Sequence, residues 1–173
     1  MRLAAVSLSI LVLVQLNAFG QSSASGAKQV ISLTISSKPA VKVGSIVGIH
    51  VVLTNTSEHD SGVEREVRGT DCAIDVRDQK GNFAPDTKYG LPFNGHVNVD
   101  DLDPSTINHN DLNGALVSIP VKAGKTWEWD LDATKRYDMS KPGKYQIFIQ
   151  KLDPEDPALP AVKSNTIIVT VAP

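Results

Sequence analysis

Cysteine and histidine are the side chains of this sequence that could act as a nucleophile and its base. The chain has one cysteine, Cys72, and four histidines. A thiol reacts as the thiolate, which a neighbouring base or cation must stabilise. Cys72 alternates with Ile74 and Val76 on the inward face of a strand pattern, which favours a small buried hydrophobe. Because no nucleophile elbow, phosphate loop or zinc-binding helix motif occurs either, the chain is predicted not to be an enzyme.

Aspartate and asparagine are concentrated in one stretch that could bind a metal ion. Its carboxylates belong to Asp100, Asp101, Asp103 and Asp111. Calcium takes several oxygen ligands from closely spaced carboxylates and amides, so calcium is the one cofactor that the sequence suggests. Turn-forming residues in a solvated loop explain the same composition without a metal, and that alternative stays open. His96 and His109 lie in the same region and are predicted as binding residues. They could instead contribute to a transition-metal site, although the sequence offers no third ligand at a matching spacing.

Two tryptophans stand two residues apart in the most aromatic segment. Trp127 and Trp129 share a face of a predicted strand that Leu131 continues. Indole rings stack on the flat C–H faces of sugars, so the pair could form a carbohydrate platform. Burying two indoles also removes a large apolar area from water, and we predict that the pair belongs to the core.

Phe148 is the candidate for an apolar contact with a partner. It should point away from Ile147 and Ile149, between two glutamines. Val52 and Ile168 have the same outward position in their own strands. Together these side chains are predicted to form an outer apolar patch.

The first twenty residues have the pattern of a secretory signal peptide. Arg2 precedes an apolar run at 3–16, and small residues stand at positions 18 and 20. We predict cleavage before Gln21, a flexible leader at 21–28 and a single domain at 29–173. A membrane anchor is the alternative, but the run is short for a bilayer. The expected location is secreted or periplasmic, with no membrane span after cleavage.

Charge and cysteine content limit the partners and the means of stabilisation. The net charge is −2, which gives no electrostatic basis for binding nucleic acid or an anionic membrane. One cysteine forms no internal disulfide, so packing must stabilise the exported domain. The expected partner is therefore a protein or a cell-surface polymer.

Alternating apolar and polar residues predict an all-β fold. Strand patterns occur at 30–36, 46–55, 63–68, 72–77, 115–121, 126–131, 145–150 and 164–171. No helical period is sustained over three turns, although 132–139 could hold one turn. Strands of this length and spacing predict an immunoglobulin-like antiparallel β-sandwich of about seven to nine strands. Residues 85–114 lack any period and are predicted to be a long irregular insertion.

The inward faces of these strands define a predicted core. Its members are Ile31, Leu33, Ile35, Val47, Ile49, Val51, Leu53, Ile74, Val76, Val117, Ile119, Trp127, Trp129, Tyr145, Ile147, Ile149, Ile167, Val169 and Val171. Tyr145 follows the tight turn at 141–144 and is predicted to donate a hydrogen bond back to that corner, as tyrosines do in immunoglobulin-like folds.

Three segments resemble bacterial secreted immunoglobulin-like modules. They are VGSIVGIHVVLTNTS at 43–57, KPGKY at 141–145 and SNTIIVTV at 164–171. The same layout is similar to the domain family named for the Bacillus intracellular proteinase inhibitor. The resemblance covers most of the chain after the leader and implies an immunoglobulin-like sandwich, with proteinase inhibition as one possible activity. The sequence contains no inhibitory motif that matches this family, so the resemblance assigns no binding residue.

The resulting prediction is a secreted, non-catalytic binding module. A rigid sandwich can present an irregular loop without disturbing its core. We predict protein binding through the 85–114 insertion or through an outer sheet face. A carbohydrate- or cell-wall-binding module and a proteinase inhibitor are the alternatives.

Overall fold

The computed structural model describes residues 29–66, 72–96 and 116–173. The predicted signal peptide at 1–20 and leader at 21–28 lie outside these ranges. The proposed calcium ligands Asp100, Asp101, Asp103 and Asp111 lie outside them too, as does His109. Of the predicted insertion, residues 85–96 are described.

The chain forms the predicted all-β, immunoglobulin-like antiparallel sandwich. Sheet A has the order β1–β3–β7, with strands at Ile31–Ser37 (β1), Gly48–Asn55 (β3) and Thr126–Asp132 (β7). Sheet B has the order β2–β10–β8–β5, with strands at Ala40–Lys42 (β2), Ile167–Ala172 (β10), Gly143–Lys151 (β8) and Ala73–Asp78 (β5). A short strand at Val162–Lys163 (β9) also pairs with β8. A separate ribbon pairs Ser61–Glu66 (β4) with Leu116–Val121 (β6).

The first segment of the domain contributes to both sheets. Strand β1 runs antiparallel to β3 in sheet A, whereas β2 runs parallel to β10 in sheet B. The sequence patterns missed β2 and β9, because strands of three and two residues are too short to show an alternation. The predicted single helical turn is confirmed as α1 (Ala133–Arg136), whose first turn is capped by the Asp132 carboxylate accepting from Thr134 N at 2.9 Å.

The predicted core is largely confirmed. Side chains on the inner faces of β1, β3, β8 and β10 are buried, and the centre includes Val51, Leu53 and Ile147 with no exposed surface. Burying an aliphatic side chain of this size contributes roughly 1.5–3 kcal/mol. Cys72 is fully buried in the same cluster, which confirms its prediction as a small hydrophobe.

Val117 is the main error in the predicted core, since it is 46% exposed. It shares a face of β6 with Ile119, which is half-buried, and with Val121, which is 3% exposed. The β4–β6 ribbon therefore enters the core at its Val121 end and leaves it at its Val117 end. Alternation reports which face a residue lies on, but not whether a second layer covers that face. Trp127 and Ile167 are likewise partly rather than fully buried.

The corner before β8 has the predicted geometry. The hydroxyl of Tyr145 donates to the carbonyl of Lys141 at 2.8 Å, and the side chain is otherwise buried. Burial raises the pKa of this phenol, and Asp138 and Asp78 add to the effect. The bond fixes the turn that leads from α1 into the central strand of sheet B.

Candidate functional site

The described part of the insertion is attached to sheet B and to α1 by backbone hydrogen bonds. Ala84 N donates to Val76 O at 2.9 Å, and Thr87 N donates to Arg136 O at 2.9 Å. Asp138 N donates to Pro85 O at 2.7 Å. The segment 83–96 therefore has a fixed position beside β5.

Gly90 makes the close approach of this segment to α1 possible. A Cβ atom at this position would lie 1.9 Å from the carbonyl oxygen of Arg136. That oxygen also accepts from Asn94 Nδ2 at 3.2 Å. Position 90 therefore requires glycine because any Cβ atom would clash with the backbone of Arg136, and not because its φ angle is unusual.

A carboxylate, an imidazole and an amide meet at the end of the segment. His96 Nδ1 lies 3.1 Å from both oxygens of Asp86. Asn94 Nδ2 donates to Asp86 Oδ1 at 2.6 Å. Asn94 Nδ2 therefore donates to two acceptors, Asp86 Oδ1 and Arg136 O. Asn94 Oδ1 is a buried acceptor without a hydrogen-bond partner among the described residues. The imidazole stands 4.1 Å, centroid to centroid, from the ring of Phe83.

A second charged pair stands next to the first. Arg77 donates to Asp75 from Nε at 2.8 Å and from Nη2 at 3.1 Å, which is the bidentate geometry that guanidinium groups favour. The hydrogen bond with Asp75 is the main cause that raises the pKa of Arg77. The guanidinium also lies 4.0 Å over the ring of Phe83.

Between these groups lies a cleft of about 700 Å³. Its floor is the outer face of sheet B, where Ala73 and Asp75 of β5 stand beside Gln150 of β8. Its wall is formed by residues 83–86 and 94–96. The side chains of Asp75 and Asp86 are 13% and 9% exposed. The cleft thus combines hydrogen-bonding groups with one partly exposed aromatic ring.

A smaller cavity of about 240 Å³ lies at the end of the sandwich near α1. It is lined by residues that include Ile46, Tyr137 and Met139. Its volume is below the range of about 300–1,000 Å³ that is usual for ligand sites. The larger cleft is therefore the stronger candidate.

The predicted binding residues have different outcomes. His96 lines the cleft. Phe148 points to the outer face of sheet B, opposite Asp75 in register, but it is only 9% exposed because Lys163 Nζ lies 3.4 Å over its ring. Val52 belongs to the other sheet. The outer apolar patch predicted from Phe148, Val52 and Ile168 therefore does not form, since alternation does not tell which sheet a strand joins.

The tryptophan pair is part of the core, as predicted. The two indoles stack with centroids 4.3 Å apart and an interplanar angle of 18°. Trp129 is 7% exposed, and Trp127 packs against the same cluster. Neither ring stands on an outer face where it could serve as a sugar platform.

A charged cluster on the outer face of sheet A was not predicted from the sequence. His50 Nδ1 lies 3.0 Å from Asp130 Oδ1, and its Nε2 lies 3.4 Å from Glu128 Oε2. The hydrogen bond with Asp130 is the largest cause that raises the pKa of His50. Outward alternation of β3 and β7 was visible in the sequence, but the register that brings these side chains together was not.

The described ranges contain neither a metal-binding cluster nor a membrane-spanning helix. There, no three histidine, cysteine, aspartate or glutamate side chains are grouped so that they could hold a metal ion. Around His50, each ring nitrogen faces a different carboxylate. Within residues 29–66, 72–96 and 116–173, no helix has the length and apolar character needed to cross a membrane.

Comparisons with known proteins give only distant structural similarity. No family model matches the chain, and no curated protein matches it. A β-glucosidase from Listeria innocua in complex with isofagomine is 12% identical with a TM-score of 0.43, over 83% of this chain and 16% of that chain. AvmM, which catalyses macrocyclization in alchivemycin A biosynthesis, is 12% identical with a TM-score of 0.38, over 84% of this chain and 90% of its own. Similarity at this level carries no functional argument.

Proposed function

We propose that the protein is an exported, non-catalytic module that binds a protein partner in the cleft between sheet B and residues 83–96. One observation carries the proposal. The sequence indicated the insertion and an outer sheet face as separate candidates for binding. Residues 85–86 and 94–96 of the insertion meet the outer face of sheet B in a single cleft of about 700 Å³. This volume lies within the usual range of ligand sites, about 300–1,000 Å³.

The rigidity of the cleft supports a binding role. Its floor belongs to β5 and β8, which pair with each other over six residues. Its wall is attached by the backbone bonds of Ala84 and Thr87. A preformed site loses little conformational entropy when a partner binds, which favours affinity.

The chemistry of the cleft supports a protein as the partner. Phe83 is 44% exposed at the rim, with Arg77 stacked on it. Aromatic and arginine side chains contribute most of the binding energy at many protein interfaces. The amide of Gln150 on the cleft floor supplies both a donor and an acceptor, which are the hydrogen-bonding groups that a peptide backbone requires.

A random peptide library displayed on phage tests the proposal. Peptides selected on the wild-type protein should lose binding to an Ala73→Trp variant, because Ala73 is exposed on the cleft floor and a large ring fills the space above it. Thr34→Trp is the matched control, since Thr34 is exposed on the outer face of sheet A. Peptides that bind both variants equally well, or a library that yields no binders, would refute the cleft as a binding site.

A further inference from the structure

We infer that the cleft receives a positively charged side chain, an arginine or a lysine, of the protein partner. This inference rests on the proposed function and specifies the partner's chemistry.

The lining of the cleft carries two carboxylates, and the guanidinium that is paired with one of them lies outside the lining. Asp75 and Asp86 line it, together with the imidazole of His96. Among the described residues, no lysine or arginine belongs to that lining. Arg77 stands outside it, bound to Asp75 and stacked on Phe83, and Arg136 is buried with Nη1 donating to Cys72 O at 3.1 Å.

The two carboxylates retain capacity for further donors. Each carboxylate oxygen can accept about two hydrogen bonds. Each oxygen of Asp75 accepts one, from Arg77. Among the described residues, Oδ2 of Asp86 contacts only His96 Nδ1, whereas Oδ1 also accepts from Asn94. The side-chain carbonyl of Gln150 adds another acceptor to the lining. The cleft therefore offers acceptors to a group that brings N–H donors, as guanidinium and ammonium groups do.

The existing hydrogen bonds favour an organic cation over a metal ion. Asp75 is held by both donors of Arg77, and Asp86 by His96 and Asn94. A metal ion would need these oxygens to turn towards a common centre, which would break those bonds. A lysine or arginine side chain can instead use the lone pairs that remain, without moving either carboxylate.

Titrations followed by amide NMR test the inference on the chain from Gln21 to Pro173. The probes are capped pentapeptides of glycine with a central arginine, lysine, glutamine or glutamate, and calcium chloride alone. The arginine and lysine peptides should shift the signals of Asp75, Asn94 and Gln150, and they should bind at least about fivefold more tightly than the glutamine peptide. Raising the salt concentration should weaken them, and the glutamate peptide should not bind.

Charge-removing variants give the matched control. Asp75→Asn and Asp86→Asn should each weaken the arginine peptide about fivefold. Asp130→Asn removes the same charge from the outer face of sheet A, where the side chain is 83% exposed, and should leave affinity unchanged. Equal binding of the arginine and glutamine peptides, no binding of either, or shifts caused by calcium alone would overturn the inference. Binders selected from the library that lose affinity for Ala73→Trp yet lack arginine and lysine would refute this inference while leaving the proposed function intact.

Discussion

Substituting Gly90 by alanine should detach the wall of the cleft from α1. The added Cβ would lie 1.9 Å from the carbonyl oxygen of Arg136, 2.7 Å from its carbonyl carbon and 2.8 Å from its Cα atom. All three are backbone atoms, so no side chain can rotate to relieve the contact. Contacts of a Cβ below 3.0 Å are essentially never seen, and the segment around residue 90 must therefore move away.

The cost follows from the bonds that this movement breaks. Arg136 O accepts from Thr87 N at 2.9 Å and from Asn94 Nδ2 at 3.2 Å. At about 1 kcal/mol for each bond, the variant should lose about 2 kcal/mol. For a domain of this size that corresponds to a melting temperature lower by roughly 4–8 °C. If the wall opens locally instead, amide exchange at Thr87 accelerates while global unfolding changes less.

Gly48→Ala is the matched control. A Cβ at Gly48 meets nothing within 4 Å, and its φ angle is in the ordinary range. This substitution should be neutral or slightly stabilising in urea unfolding, because it lowers the entropy of the unfolded chain. Peptides that bind the cleft should bind Gly48→Ala normally and Gly90→Ala weakly. Equal stability, equal exchange at Thr87 and equal binding in the two variants would refute the role assigned to Gly90.

Three further outcomes follow from other parts of the fold. Tyr145→Phe should lower the free energy of unfolding by about 1 kcal/mol in urea titrations, and an unchanged value would contradict the corner bond at 2.8 Å. Because Asp130 raises the folded-state pKa of His50 above its ordinary 6.5, the protonated ring stabilises the fold below that pH and the effect fades as pH rises through the raised value. The stability difference between wild type and His50→Gln should therefore be larger at pH 5 than at pH 8.5, and a constant difference would refute the cluster. In Trp127→Phe, acrylamide should quench the remaining Trp129 only weakly, since it is 7% exposed; strong quenching would place that indole outside the core.

The sequence predicted the fold best where a strand is covered on one face only. In β1 and β3, residues such as Leu33 and Val51 are buried while their outward neighbours meet solvent. A strand of this kind must alternate, because each inward polar residue would lose its hydration. The Tyr145 corner was predictable for a related reason, since its turn residues and its tyrosine are adjacent in sequence.

The sequence predictions of burial were wrong where the burial of a side chain depends on residues from other strands. Val117 alternates like a core residue, yet the β4–β6 ribbon leaves the core before that position. Phe148 alternates outward, yet the side chain of Lys163, from a strand 15 residues later, lies over it. In both cases the deciding neighbour belongs to another element, and its position follows from strand register rather than from local sequence.

The cleft was the least predictable part, and its own construction explains why. Of the residues that line it, only His96 was identified from the sequence; Asp75, Asp86, Asn94 and Gln150 were not. Hydrophobic patterns report segments that are held by apolar burial, whereas segment 83–96 is held mainly by hydrogen bonds to backbone atoms of β5 and α1. Such a segment needs glycine for close approach and amides or carboxylates for bonding, so it shows no period. The loss of alternation over residues 85–96 is therefore a consequence of how this wall is built.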